Sequence, residues 1–161
     1  MPPRNKQPER QPAQSTQSAQ PTRPVTITAV VDPVAALASE NLDDNLYFYD
    51  TNKSAGSTGF GTPALHSRVR KGDTLLWNVI PLECETYVSL SDIEIDPQIA
   101  EPTQKVYPGT DIVFWTAEVK QDITEPVPYR LSFLLGTVST PFTPTARPAL
   151  AGPANEGKEG R

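Results

Sequence analysis

The chain has 161 residues, 20% of them charged and 37% hydrophobic, with a net charge of −5; this is the size of one domain. A single cysteine excludes an internal disulfide, and there is no run of about 18 apolar residues to span a membrane. Charge is uneven: residues 25–140 hold seven basic and sixteen acidic groups, so the body lacks the basic face that nucleic acid requires.

Residues 1–24 contain six Pro, five Gln and no large apolar residue after Met1. Such a segment buries too little surface to offset its ordering entropy and is expected to be a disordered arm. It also lacks the apolar run of a secretory signal, which with the lone thiol suggests a bacterial cytoplasm. The domain is expected over residues 25–140. It opens with "VTITAVV", in which Val25, Ile27, Ala29 and Val31 share one strand face. Asp32 then suits an N-cap and Pro33 a first helical position, predicting a short helical turn over 34–38. "NLYFYD" at 45–50 predicts a strand, followed by a Gly/Ser-rich loop over 51–63.

"LHSRVR" predicts a half-polar strand with Leu65, Ser67 and Val69 inward. Lys71-Gly72-Asp73 is a tight turn leading into "TLLWNVI", a strand expected to be buried on both faces or nearly so. "ETYVSLSDIEI" resumes alternation until Pro97, Pro108-Gly109 turns into "DIVFWTAEV", and "VPYRLSFLL" closes the series with Tyr129, Leu131, Phe133 and Leu135 on one face. Seven or eight strands with one helical turn predict an all-β antiparallel β-sandwich, Ig-like or cupredoxin-like in appearance. Two Trp on neighbouring strands would anchor its core. Residues 141–161, rich in Pro and Gly, are expected to form a second disordered tail.

The "RVRKGDTLLWNV" phrase resembles copper-binding sandwiches in shape, but blue copper needs two His and a Cys. This chain has one His and one Cys, so no metal or other cofactor is expected. His66 is the only imidazole available to a Ser-His-Asp triad, and there is no G-x-S-x-G elbow. Cys84 lies between Glu83 and Glu85 and is expected to be a buried or inert thiol. No enzymatic constellation emerges. The candidate ligand-binding residues are of two kinds. Tyr47, Tyr49 and Phe60, with Tyr87, could form a sugar-binding shelf. Asp92, Glu94 and Asp96 alternate, which on a strand places three carboxylates on one face and offers oxygen ligands to calcium.

The order of segments resembles the AidA/PixA inclusion-body protein family of bacteria. The resemblance rests on "TITAVVDPVAALA", "LYFYDTNKSAGSTGFG", "VRKGDTLLWNVIPLECETYVSLSDI", "YPGTDIVFWTAEV" and "VPYRLSFLL", covering about residues 25–136. The family's closing hairpin is altered here to "TVSTPFTPTARP", and the N-terminal arm is extra. The resemblance implies a small, non-enzymatic cytoplasmic protein that self-associates as a homo-oligomer, linked to quorum sensing or host association. It carries over no site residues. The competing expectation is a lectin-like, carbohydrate-binding module with glycan as its partner.

Overall fold

The computed structural model describes residues 24–154. The expected disordered arm therefore lies outside the described residues except for Pro24, as do residues 155–161 of the expected tail.

Strand β1 (Val25–Val31) buries Val25, Ile27, Ala29 and Val31, as its alternation predicts. Helix α1 (Pro33–Ser39) begins where Asp32 Oδ1 accepts the Ala35 N–H at 2.8 Å. It ends at Glu40, which takes a left-handed φ of 52°. After a 3-10 turn at Asp43–Asn45 come β2 (Leu46–Asp50) and, beyond the glycine-rich loop, β3 (His66–Arg68). Gly72 takes a φ of +87° in the turn before β4 (Thr74–Pro81). Then follow β5 (Val88–Glu94), β6 (Thr103–Val106), β7 (Val113–Glu118), β8 (Val127–Pro128), β9 (Arg130–Leu135) and β10 (Ala149–Ala151).

One layer is a sheet of five strands in the order β2-β1-β4-β7-β6. The other combines the β3-β10-β8 and β5-β9 ladders, linked by the chain running from β8 through Tyr129 into β9. The sheets are mixed rather than purely antiparallel. β1 pairs parallel to β4, and β10 pairs parallel to β3. Alternation fixes which face of a strand is apolar but carries no sign of its direction. The all-β character holds.

The core lies between the layers. Trp77 of β4 and Tyr129 meet edge-on with ring centroids 6.0 Å apart, and the indole N–H donates to the Tyr129 hydroxyl at 3.3 Å. Burial pushes that hydroxyl's pKa well above its ordinary value; the indole hydrogen bond opposes this and the Asp50 charge adds to it. Trp77, Phe48 and Phe133 are each fully buried, which stabilises by about 1.5–3 kcal/mol per side chain.

Three further expectations are corrected. β4 is fully buried only on the face of Leu75 and Trp77; on the other Leu76 and Asn78 are partly buried and Ile80 is 49% exposed, as befits the outer face of a two-layer fold. "VPYRLSFLL" is two strands, β8 and β9: Val127 and Pro128 pair with β10, the Tyr129 N–H still bonds the Pro148 carbonyl beside that ladder, and from Arg130 onward the chain pairs with β5 instead. The tail expected from residue 141 onward is structured through residue 154. β10 is the middle strand of its sheet, with Ala149, Leu150 and Ala151 all buried. Its approach is held by Asp43, whose carboxylate accepts the Thr145 N–H at 3.0 Å, the Thr145 hydroxyl at 3.0 Å and the Ala146 N–H at 2.8 Å. Partial burial would raise the Asp43 pKa, but these hydrogen bonds outweigh it and hold the carboxyl below its usual range.

Candidate functional site

β4 and β7 pair only from Thr74 to Trp77, with Trp77 opposite Trp115. Past that point β4 stays with β1 while β7 stays with β6, so the two strands part. β5, from the other layer, lies over the gap. The result is a cleft of about 700 Å3 whose walls include Asn78, Tyr87, Leu90, Ile112 and Trp115. The Trp115 indole N–H donates to the Leu90 carbonyl at 3.0 Å and pins the two layers together at its floor. Asn78 Oδ1 is a buried acceptor in the wall with no hydrogen-bond partner among the described residues.

Exposed apolar side chains stand in its lining: Tyr87 is 89% exposed and Ile112 60%. The apolar surface continues along the β6–β7 hairpin, where Val106 pairs with Val113 and the Tyr107 and Phe114 rings lie 5.1 Å apart. The hairpin turns at Gly109, whose φ of +76° lies in the region that glycine adopts without strain and most side-chain-bearing residues do not. All four residues of β6 are exposed, and β6 forms the open edge of the five-stranded sheet.

The residues singled out from the sequence fall in separate places. Tyr47 and Tyr49 lie on the outward face of β2, at the opposite edge of that sheet from β6. The Tyr47 hydroxyl donates to the Asp44 carbonyl at 3.4 Å, and the Tyr49 hydroxyl lies against Gly61. Phe60 packs on the core with the Lys53 ammonium 5.7 Å above its ring. Tyr49 and Phe60 thus frame the 51–63 loop, while Tyr87 stands at the cleft mouth. Asp92 and Glu94 are exposed on β5, in the second layer, and Asp96 is exposed just beyond it. Glu94 accepts from Arg130 at 3.1 Å, and Asp96 Oδ1 accepts the Gln98 N–H at 2.9 Å. No group of three His, Cys, Asp or Glu side chains among the described residues is placed to hold a metal.

Cys84 is exposed in the β4–β5 loop, so of the expected buried or inert thiol the buried alternative does not hold; His66 lies in β3. Beside Cys84, Glu83 has its pKa raised by partial burial and by the Asp32 carboxylate that it shares a hydrogen bond with, Glu85 adding to the effect. Sequence reasoning noted Tyr87 and Trp115 but did not join them, because the parting of β4 from β7 leaves no mark in either strand's alternation. Asn78, between Trp77 and Val79, was the available signal: a polar residue interrupting an apolar strand.

A family model described as a domain of unknown function, DUF8788, matches residues 23–140. Among solved structures, the inclusion body protein PixA from Burkholderia cenocepacia has the same fold. It matches with a TM-score of 0.62 and 13% identity over 87% of this chain and 99% of that one. No curated protein matches the chain. The likeness to PixA read from the ordered segments thus holds at the level of fold.

Proposed function

Because the chain belongs to the DUF8788 family and folds as the PixA inclusion body protein does, we propose that it is a non-enzymatic accessory protein of inclusion-body type that self-associates. The setting of this proposal is the bacterial cytoplasm, with a link to quorum sensing or host association. Among the described residues no helix is long and apolar enough to cross a membrane.

One observation carries the reading: the uncovered apolar border formed by Tyr87, Ile112, Val113 and Val106, beside the open edge of β6. An open strand edge presents backbone donors and acceptors to another strand, and adjacent apolar side chains supply the driving force. β6 carries only one charged side chain, Lys105, to discourage such pairing. Two copies meeting through β6 would continue the sheet across a two-fold axis.

Light scattering after size exclusion, at rising concentration, tests this. A dimer or larger species is expected, and Val106→Lys with Ile112→Asp should return it to monomer. A strict monomer at high concentration refutes the reading.

The same cleft favours a second reading, a carbohydrate-binding module, since Trp115 and Tyr87 stand there beside Asn78, Gln104 and Asp111. Sugar rings stack on aromatic faces and bond to such polar groups. A glycan array with and without calcium decides it; no bound glycan removes it.

A further inference from the structure

Four of the eight cations among the described residues, Lys53, Arg68, Arg70 and Lys71, lie in or next to the segments that line one cleft. Of the described cations, Lys120 pairs with Glu101 at 2.6 Å and Arg130 with Glu94 at 3.1 Å. Arg68 and Arg70 instead line a cleft of about 560 Å3 between the 52–56 loop and the chain at Pro153–Ala154, with Lys53 and Lys71 flanking it in sequence.

Arg68 forms part of this cleft and is half-buried. Its Nε donates to the Gly56 carbonyl at 3.2 Å and its Nη1 to the Gly152 carbonyl at 2.8 Å. Both acceptors are neutral, and no carboxylate pairs with Arg68 among the described residues. A guanidinium has five N–H donors in a planar fork, and only two of them are taken here. The backbone beneath is fixed too: the Asn52 amide donates to the Arg68 carbonyl at 2.7 Å, and the Ser57 hydroxyl accepts the Arg68 N–H at 2.9 Å. The result is a partly buried charge, held in one orientation by carbonyls and without a counter-ion among the described residues.

We propose that this cleft binds a carboxylate group, with Arg68 as its floor and Arg70 at its rim. A planar carboxylate matches the unspent side of a guanidinium, and an anchored fork loses little entropy on binding. A single negative charge fits better than a phosphate dianion. Asp73 also lines the cleft, its Oδ2 accepting the Arg70 N–H at 2.8 Å, and the rest of the body is acidic. The carboxylate comes either from a free small molecule or from Glu156 or Glu159, which follow Ala154 in the sequence.

The test is a titration of the full chain with N-acetylglycine, followed by the amide resonances of Gly56, Arg68, Arg70 and Gly152. Saturable shifts are expected, weakened about tenfold by Arg70→Gln, which is exposed and leaves the fold intact. Asp73→Asn should bind at least as tightly. If Glu156→Gln with Glu159→Gln tightens binding, the chain's own carboxylates occupy the site; if binding is unchanged, the site takes a free ligand. Absence of saturable shifts up to roughly 20 mM in both forms overturns the proposal. So does tighter binding of inorganic phosphate than of N-acetylglycine.

Discussion

Replacing Asp43 with Ala removes the acceptor of three hydrogen bonds from residues 145 and 146. Hydrogen bonds to a charged group contribute about 1.5–3 kcal/mol each where water is excluded. Asp43 is only half-buried, so the set together is expected to contribute nearer 2 kcal/mol. The loss should exceed that of an ordinary surface change because it frees the entry to β10, whose Leu150 is fully buried. In urea unfolding, Asp43→Ala should lower the midpoint without changing the slope, and the β10 amides should exchange faster than those of β1. The pH dependence has a fixed sign. The native pKa is depressed, so the contribution is complete above the unfolded value near 3.8 and is lost as pH falls through the lower native value. Asp43→Asn keeps an acceptor but no charge, and should lose less stability and show no such dependence. A stability change under about 0.5 kcal/mol in the Ala variant, with unaltered exchange at Leu150, would refute the clamp.

Tyr129→Phe leaves the Trp77 indole N–H buried without its acceptor and should destabilise by about 1–3 kcal/mol, measured by denaturant unfolding with Trp fluorescence as the probe. Gly152→Ala would place a Cβ 2.0 Å from the Ile123 carbonyl oxygen, a backbone atom that cannot swing aside, so it should displace β10 or the 123 segment and cost about 3 kcal/mol. Gly72→Ala meets no atom within 4 Å and costs only the strain of its positive φ, about 1 kcal/mol. Equal losses for the two glycine variants would count against this account. Glu83 has a raised native pKa, so its protonated form favours the fold below the unfolded value, and that contribution is lost as pH rises through the native one. Glu83→Gln should therefore match the parent in acid and exceed it in melting temperature at neutral pH; thermal melts at the two pH values check this.

Much of the fold was legible because burial and alternation coincide. β1 shows its inward face at every second residue, and Leu65, Ser67 and Val69 are buried together as their spacing requires. β5 followed a less simple rule. Its Leu90 and Ile93 are both buried although three residues apart, because the register shifts between Leu90 and Asp92. Downstream of that shift, Asp92 and Glu94 do face out together, as their spacing predicted. β6 escaped notice because "TQKV" is exposed at all four positions and buries no face. β10 escaped because "ALA" is short, small-sided and set among prolines, with a burial that comes from neighbours on both sides rather than from a pattern of its own. The cleft could be read only in its parts, since it depends on where β4 leaves β7.

The placement of β10 bears on how the molecule comes into being on the ribosome. β3 and β8 are joined only through a strand that is translated after both of them, so their sheet must wait with a slot open down its middle. Until that piece emerges, the nascent chain exposes two unfinished borders that a chaperone or another copy could occupy. Assembly of this layer is thus tied to the emergence of β10, and its slowest step should be the insertion of that three-residue strand between strands already made.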